Sequence, residues 1–208
     1  LEHVIDRTER LTEIKQQALA TLQQQTIDVA AIENVWREWG DDYFLRHSAD
    51  EIAWHTLAIL QSTPADLPLV LVRQQSPRGG TEIFIYYTHD QEHLFATTTQ
   101  ALDQMGLTIL DARIITANNG FTLDTYIVLE ASGEPITNAH RLQEIPVALK
   151  QHLQNHGLKL APGTRRPPRQ LKYFPTLTEI TFSNDARNQR TVMELITTDR
   201  PGLLSRVG

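Results

Sequence analysis

The chain has 208 residues, with 19 lysine and arginine residues against 25 aspartate and glutamate residues, so its net charge is 19 − 25 = −6 with histidine neutral. This charge argues against nucleic acid as the main partner, because phosphate binding requires a basic surface. The absence of cysteine excludes disulfides, cysteine-ligated zinc, iron–sulfur clusters and a thiol nucleophile. No apolar run reaches the ~18 residues of a membrane span, and no signal-peptide pattern opens the chain, so a cytoplasmic protein is expected.

The two ends of the chain suggest a piece of a longer protein. No methionine precedes Leu1, and the apolar spacing of residues 203–208 is that of the first turns of a helix. Because a domain seldom ends inside an amphipathic element, we expect further segments on both sides.

The first third of the chain is predicted to be helical. Residues 3–24 have apolar side chains at helical spacing without glycine or proline. Asp28 can cap a second helix that ends at Gly40. Ser48 and Glu51 have the spacing of a capping box, which predicts a third helix that begins there and is closed by proline at position 64.

Aromatic and histidine side chains cluster between these helices, at residues 43–47 and 54–55. A metal site or an aromatic cage is one interpretation. The interpretation we favour is a small helical core of the aromatic rings, with Arg46, His47 and His55 at its edge, because no carboxylate or cysteine lies at ligand spacing.

From residue 67 the pattern becomes that of alternating strands and helices, and Asn119-Gly120 is a strong hairpin signal. A helix that begins at Asn138 is predicted to kink or break near Pro146. The predicted elements are an apolar run at 69–72, a strand at 81–88, a helix at 94–105, strands at 107–117 and 121–129, a helix from 138 to 153, and a final strand at 176–182.

This βαββαβ order predicts an α+β fold of the ferredoxin-like type, with two helices on one face of an antiparallel sheet. The other face needs a cover, commonly another copy of the unit. Residues 161–169 form a basic, proline-rich connection. Its arginines could bind a phosphate or an acidic partner, but a solvated loop is the simpler interpretation.

A partial internal repeat follows. Residues 191–198 form another predicted strand, and Asp199 follows it as Asp90 follows the earlier strand, with 199 − 90 = 109. Asp199 can cap a helix, Pro201 suits its first turn, and Gly202 leaves room for a ligand beside free backbone N–H groups. This junction is either a seat for a small amino acid or a plain strand-to-helix turn.

The residues at this junction resemble the opening signature of ACT domains, small regulatory modules that bind amino acids. The first unit also resembles an ACT domain through residues 109–116, Gly120 and residues 123–128. These resemblances imply an effector site at the second junction. Its residues are Asp199, Arg200, Pro201, Gly202, Leu203 and Leu204.

A wider resemblance covers nearly the whole chain. Residues 43–48, 53–55, 68–71 and 78–85 are similar to the family of bifunctional uridylyltransferase/uridylyl-removing enzymes that modify the PII nitrogen-signalling protein. The resemblance implies a helical connection at 1–65, a first ACT domain at 66–185 and the start of a second at 186–208. It also implies glutamine as the effector, PII as the substrate of the full-length enzyme, and magnesium in catalytic domains that this chain lacks.

No catalytic centre or metal site is predicted in the chain itself. Asp41-Asp42 lies beside a helix stop and lacks the spacing of a magnesium-binding pair. His89, Asp90 and His93 could ligate a metal in an autonomous hydrolase, but we interpret them as a strand-to-helix turn.

The corresponding junction of the first unit, which we call the first junction, departs from the ACT pattern at residues 91–93. Glu92 would repel a ligand carboxylate, and His93 stands where glycine would leave room. We therefore expect the second junction to bind the effector. The predicted function is a glutamine-sensing regulatory region without a catalytic centre. The alternative is a structural ferredoxin-like dimerisation module without a ligand.

Overall fold

The computed structural model describes residues 2–76, 78–87, 94–155, 177–185, 190–197 and 203–204. Helices and antiparallel strands are both present, and the predicted α+β class with an N-terminal helical part is confirmed. The helices are α1 (Glu2–Gln23), α2 (Val29–Arg37), α3 (Asp41–Arg46), α4 (Ala49–Gln61), a 3-10 turn (Pro64–Asp66), α5 (Leu94–Gln104) and α6 (Ala139–Gln154). The strands are β1 (Leu69–Arg73), β2 (Thr81–Tyr87), β3 (Leu107–Arg113), β4 (Thr122–Glu130), β5 (Glu179–Asp185) and β6 (Arg190–Ile196).

Helices α1–α4 form what we call the helical layer, and local signals set their ends. The Asp28 side chain accepts the backbone N–H of Ala30 at the start of α2. At the start of α4, Ser48 accepts the N–H of Glu51 while the Glu51 carboxylate accepts the N–H of Ser48. The predicted capping box is therefore confirmed, and its carboxylate is held at the first turn of α4.

The main sheet has four antiparallel strands in the order β1-β2-β4-β3. The tight turn between β1 and β2 depends on Gly80, whose φ is +73°. A Cβ atom there would lie 2.8 Å from the carbonyl oxygen of Val128 on β4. Glycine is thus needed both for the backbone conformation and for the close approach of the turn to β4.

The two faces of the sheet are covered by different elements. Helices α5 and α6 pack on one face, where Ile83 and Ile85 join a core with Leu102 and Leu149. The helical layer packs on the other face, where Phe84 joins a core with side chains from α1, α3 and α4. The expectation that another copy would cover this second face is not met, because helices of the same chain occupy it.

Strand β3 is shorter than the predicted 107–117. It ends at Arg113, and the chain beyond it bends toward the helical layer, where the N–H of Asn118 donates to the carbonyl of Glu38 at 2.8 Å. The Asn119-Gly120 turn is present, with a φ of +83° at Gly120. Backbone pairing nevertheless continues toward the turn, through a bridge between Thr116 and Thr122 and the hydrogen bond from the N–H of Ala117 to the carbonyl of Phe121.

Of the predicted kink or break at Pro146, the break is wrong, because α6 continues as one helix from Ala139 to Gln154, and the kink stays a prediction. Proline removes a single backbone donor from a helix interior. Ile145 and Leu149 are fully buried on either side of Pro146. Their packing in the core holds the helix together at this point.

The predicted role of residues 176–182 as the last strand of the main sheet is also wrong. The strand forms as β5, but it pairs with β6 in a separate two-stranded sheet. The place beside β2 that a fourth ferredoxin-like strand would occupy is held by β1, which forms a hairpin with β2. The run β2-α5-β3-β4-α6 is compatible with a ferredoxin-like unit, and the domain boundaries at 65 and 185 stay predictions.

The β5–β6 hairpin repeats the β1–β2 hairpin. Cross-strand partners share one face of a sheet, and the partners on one face of each hairpin are related by a shift of 110 residues, since 180 − 70 = 110 and 195 − 85 = 110. These partners are Val70–Ile85 and Val72–Ile83 in the first hairpin and Ile180–Leu195 and Phe182–Met193 in the second. In the first hairpin this apolar face packs on α5 and α6.

The opposite faces of the two hairpins differ in chemistry. In the first hairpin, Leu71 and Phe84 contact the helical layer. The residues at the equivalent positions of the second hairpin are Thr181 and Glu194, which are exposed. The second hairpin thus keeps the first apolar face, whereas its opposite face is mixed, with Val192 and Ile196 beside Thr181 and Glu194.

Candidate functional site

The predicted effector junction lies almost wholly outside the described residues. Strand β6, which leads into it, ends at Ile196, and only Leu203 and Leu204 of the six predicted residues are described. Both are helical, as the predicted helix start requires, and Leu204 is 38% exposed. The placement of Asp199, Arg200, Pro201 and Gly202 stays a prediction.

The equivalent junction of the first unit is residues 88–93, which also lie outside the described residues. His89, Asp90 and His93 belong to it, so their interpretation as a turn is untested. Among the residues that the structure describes, no group of three or more histidine, aspartate or glutamate side chains is arranged to hold a metal ion.

A different group of polar side chains lies between the helical layer and the main sheet. Each of the four strands contributes one side chain, and each of these contacts a residue between positions 47 and 55. We call this group the interlayer cluster. Its members are Arg73 of β1, Glu82 of β2, Arg113 of β3 and Thr125 of β4, with His47, Asp50, Glu51 and His55 from the helical layer.

The pair of Glu51 and Arg113 joins α4 to β3. Arg113 Nη2 donates to Glu51 Oε1 at 2.9 Å, and Nη1 donates to the carbonyl oxygen of Arg46 at 2.9 Å. Burial alone would raise the pKa of Glu51, but the hydrogen bonds from Arg113 and from the Ser48 N–H lower it to about 2. Glu51 is therefore a buried carboxylate that is charged and paired at neutral pH.

A second pair joins β1 and β2 to the edge of α4. Arg73 donates to Glu82 at 2.7 Å and to Asp50 at 2.5 Å. Burial and the nearby Glu51 carboxylate raise the pKa of Glu82, and Arg73 opposes the rise. Glu82 is fully buried, whereas the Asp50 side chain is 63% exposed, so Asp50 marks the rim of the cluster.

His55 lies between the two layers and is fully buried. Its ring stacks on Phe84 with a centroid distance of 3.8 Å, and its Nδ1 lies 2.6 Å from the hydroxyl of Tyr43. Its Nε2 lies 3.3 Å from Glu82 Oε1 without hydrogen-bond geometry. Burial lowers the pKa of His55 to about 3, so the ring is neutral at pH 7 and forms no ion pair with Glu82.

His47 connects α3 to β4. Its Nδ1 lies 2.8 Å from the carbonyl oxygen of Tyr43, and its Nε2 lies 3.0 Å from the hydroxyl of Thr125. Burial and the nearby His55 lower the pKa of His47 to about 3. The expectation that His47 and His55 lie at the edge of a helical core is therefore wrong, because the sheet covers both rings and buries them.

The two glutamates and Arg113 of the interlayer cluster are enclosed between the layers. The buried charges of the cluster balance, with Arg73 and Arg113 against Glu51 and Glu82, as the low polarity of an interior requires. Arg113 is only 5% exposed, and Glu51 and Glu82 are fully buried, so a substrate has no access to these carboxylates. The favoured interpretation of the aromatic rings as a packed core is supported by the burial of Tyr43 and Phe44.

Sequence reasoning missed the cluster because its partners are far apart along the chain. Glu51 and Arg113 are 62 positions apart, and His47 and Thr125 are 78 apart. The capping box was a local signal for Glu51, but it accounts for only part of what that carboxylate binds.

An open cleft of about 440 Å³ lies between the end of α4, β1 and α6. At its edge, Lys150 Nζ donates to the carbonyl oxygen of Asp66 at 2.7 Å. The lining includes Ala58, Leu69 and Val147, and none of the buried side-chain polar atoms without a partner in the described residues belongs to it. Gln61, Ser62, Asp66 and Lys150 also line the cleft, so its wall is of mixed polarity.

Comparison with known proteins shows which enzymes this chain is similar to. Residues 6–58, which span most of the helical layer, match the family described as "Uridylyltransferase GlnD fifth domain". The whole chain is 46% identical to the bifunctional uridylyltransferase/uridylyl-removing enzyme of Stutzerimonas stutzeri (strain A1501), of which it covers 23%. The enzymes of the same name from Pseudomonas aeruginosa (strain LESB58) and Pseudomonas savastanoi pv. phaseolicola (strain 1448A / Race 6) are also 46% identical, with 23% and 24% covered.

Over its whole length, the chain is similar to the C-terminal part of these enzymes. It spans about a quarter of the length of the curated relatives it matches, and the identity extends over 212 aligned residues, so it includes the helical layer, the main sheet and the second hairpin. The predicted resemblance is therefore confirmed. No helix in the described part of the chain is long and apolar enough to cross a membrane.

Proposed function

We propose that this chain is the glutamine-sensing regulatory region of a uridylyltransferase/uridylyl-removing enzyme that modifies the PII protein. The observation that carries the proposal is the identity of 46% over the whole chain to enzymes of that name. Because the chain corresponds to 23% of such an enzyme, the role we propose for this region is to regulate activities that reside elsewhere in the enzyme.

The second junction is the proposed glutamine site. The β5–β6 hairpin repeats the β1–β2 hairpin and is followed by a helix at Leu203, so Asp199–Gly202 stands at a strand-to-helix connection. Free N–H groups at a helix start favour a carboxylate, and glycine at position 202 would let an amino acid approach the backbone closely. The residues Gln91, Glu92 and His93 at the first junction lack these properties.

The main sheet, which is covered on both faces, supports the proposal that the second unit and not the first binds glutamine. The helical layer packs on one face and α5 and α6 pack on the other. The first unit is therefore suited to be a fixed base, against which the second unit can take different positions. If glutamine binds one arrangement of the two units more tightly than another, it shifts the equilibrium toward that arrangement. A tenfold difference in affinity corresponds to about 1.4 kcal/mol.

Three further assignments follow from the same family and concern the full-length enzyme. The catalytic domains would use magnesium, PII would be the protein substrate, and the enzyme would work in the cytoplasm. None of these depends on a side chain of the interlayer cluster.

The test is a calorimetric titration of the full-length enzyme with glutamine, with glutamate as the control ligand. Asp199→Asn and Asp90→Asn are matched variants, because they make the same change at the two equivalent junctions. We expect saturable heat with glutamine only, loss of that heat in Gly202→Val, weaker binding in Asp199→Asn and unchanged binding in Asp90→Asn.

Two results would overturn the proposal. Absence of heat with glutamine would favour the alternative of a structural dimerisation module, which predicts self-association that no amino acid affects. Equal loss of binding in Asp90→Asn and Asp199→Asn would place the site at both junctions or at neither.

A further inference from the structure

We propose that the interlayer cluster sets the orientation of the helical layer on the main sheet, and that it does so without being needed for the stability of the fold. The cluster thereby makes the helical layer and the first unit one rigid body. This inference does not depend on glutamine binding.

The first argument is the distribution of the contacts. Three strands of the sheet each make a hydrogen bond to the helical layer, and all three bonds converge on one turn and one helix, between positions 47 and 55. The bonds are Arg73–Asp50 from β1, Arg113–Glu51 from β3 and Thr125–His47 from β4, while Glu82 of β2 lies beside His55 without a hydrogen bond. A rotation or a slide of the helical layer would lengthen several of them at once.

The second argument is that the apolar contacts alone do not define one orientation. Apolar contacts between the layers, such as those around Phe84 and Ile52, are favourable in proportion to the buried area and have no direction. Hydrogen bonds and ion pairs lose most of their energy when distance or angle changes. The Arg113 guanidinium binds both the Glu51 carboxylate and the Arg46 carbonyl, so it fixes α3 and α4 together relative to β3.

The third argument concerns energy. Desolvation of buried ion pairs cancels much of their attraction, and neutral replacements of a whole pair are often tolerated. Glu51 retains its role at the start of α4 if it becomes glutamine, because the side-chain oxygen can still accept the Ser48 N–H. The variant Glu51→Gln/Arg113→Met therefore removes the ionic contact, keeps the helix cap and leaves no buried charge unpaired. The other partners of the pair, Arg78 and Asp111, are partly exposed to water.

The experiment uses the full chain, whose lack of cysteine allows two spin labels to be placed at will. Labels at Gln16→Cys on α1 and Thr108→Cys on β3, both exposed, report the distance between the helical layer and the sheet. Labels at Gln143→Cys on α6 and Thr108→Cys are the control pair, because neither is in the helical layer. Double electron–electron resonance gives the distance distribution of each pair.

We expect Glu51→Gln/Arg113→Met to fold, to broaden or shift the Gln16–Thr108 distribution, and to leave the Gln143–Thr108 distribution unchanged. The matched control is Arg141→Met, which removes an arginine of α6 that pairs with Glu130 and Glu144 and not with the helical layer. It should leave both distributions as they are in the unmodified chain.

Either of two outcomes would overturn the inference. An unchanged Gln16–Thr108 distribution in the folded double variant would mean that apolar packing alone orients the layers. Failure of the double variant to fold, judged by circular dichroism, would mean that the cluster is needed for stability, contrary to the proposal.

Discussion

Glu51 and Arg113 are joined across the boundary between α4 and β3 by a hydrogen bond of 2.9 Å, and the same carboxylate accepts the backbone N–H of Ser48 at 2.7 Å. The Glu51 side chain thus caps the start of α4 and also binds Arg113 of the sheet, 62 positions away. The two bonds use different oxygens of Glu51, so neither requires the other to be broken.

Loss of Arg113 alone should be costly. Arg113→Met leaves the Glu51 carboxylate buried without its guanidinium, so we expect the free energy of unfolding to fall by about 3–5 kcal/mol. Adding Glu51→Gln should recover most of that loss, because no buried charge is then unpaired. Urea unfolding of the two single variants and the double variant measures this coupling.

The control for this cycle is Arg141→Met, whose ion pairs with Glu130 and Glu144 are partly exposed. It should cost roughly 1 kcal/mol or less. Additive effects of Arg113→Met and Glu51→Gln would contradict the prediction, because independent residues show no coupling energy.

The stability of the chain should decrease in mild acid. The pKa values of His47 and His55 are lowered from 6.5 to about 3, chiefly by burial. Between these values the unfolded chain binds protons that the folded chain does not, so their contribution is full above pH 6.5 and is lost as the pH falls toward 3. Each histidine contributes a slope of up to about 1.4 kcal/mol per pH unit.

Two comparisons test this pH dependence. His47→Gln should reduce the slope, because one titrating group is removed. Glu82, with its raised pKa, acts in the opposite direction just above its ordinary value of 4.5, so the net loss of stability there should be smaller than the two histidines alone would give. Urea unfolding at a series of pH values measures it, and a stability that is constant from pH 6.5 down to 4.5 would contradict the burial of the two rings.

Gly80 and Gly79 should respond differently to the same substitution. Both have a positive φ, +73° and +82°, but only at Gly80 would a Cβ atom meet a neighbour, the Val128 oxygen at 2.8 Å. Gly79→Ala should cost about 1–2 kcal/mol from the backbone conformation alone. Gly80→Ala should cost clearly more, since the turn must also move away from β4. Thermal unfolding of both variants measures the difference, and equal costs would show that the turn adapts freely.

The two hairpins should tolerate equivalent substitutions to different degrees in this chain. Ile83 and Met193 are related by the 110-residue repeat, but Ile83 is fully buried and Met193 is 43% exposed. Ile83→Ala should lower the free energy of unfolding by about 2–5 kcal/mol. Met193→Ala should change it by no more than ~0.5 kcal/mol. Chemical denaturation measures both, and a large loss at Met193 would mean that its hairpin face is covered in solution.

Signals that act over a few residues were read correctly from the sequence. The Asp28 cap, the Ser48–Glu51 capping box and the Asn119-Gly120 turn all occur where they were predicted, because each depends on hydrogen bonds or backbone angles within one turn. The alternation of apolar residues likewise identified the strands and the α+β class, since a strand must present one face to a core.

The sequence by itself also indicated the family that the chain resembles, and enzymes of that name are 46% identical along the whole chain. Only the tertiary structure decided which strand lies beside β2, what covers the second face of the sheet, and where the histidines lie. Strand order depends on which strand edges come together when the chain folds. Helix α6 continues through Pro146 because Ile145 and Leu149 on either side are buried in the core. The contact of Glu51 with Arg113 spans 62 positions, and it forms because folding brings α4 and β3 together at a place where two buried charges can stabilise each other.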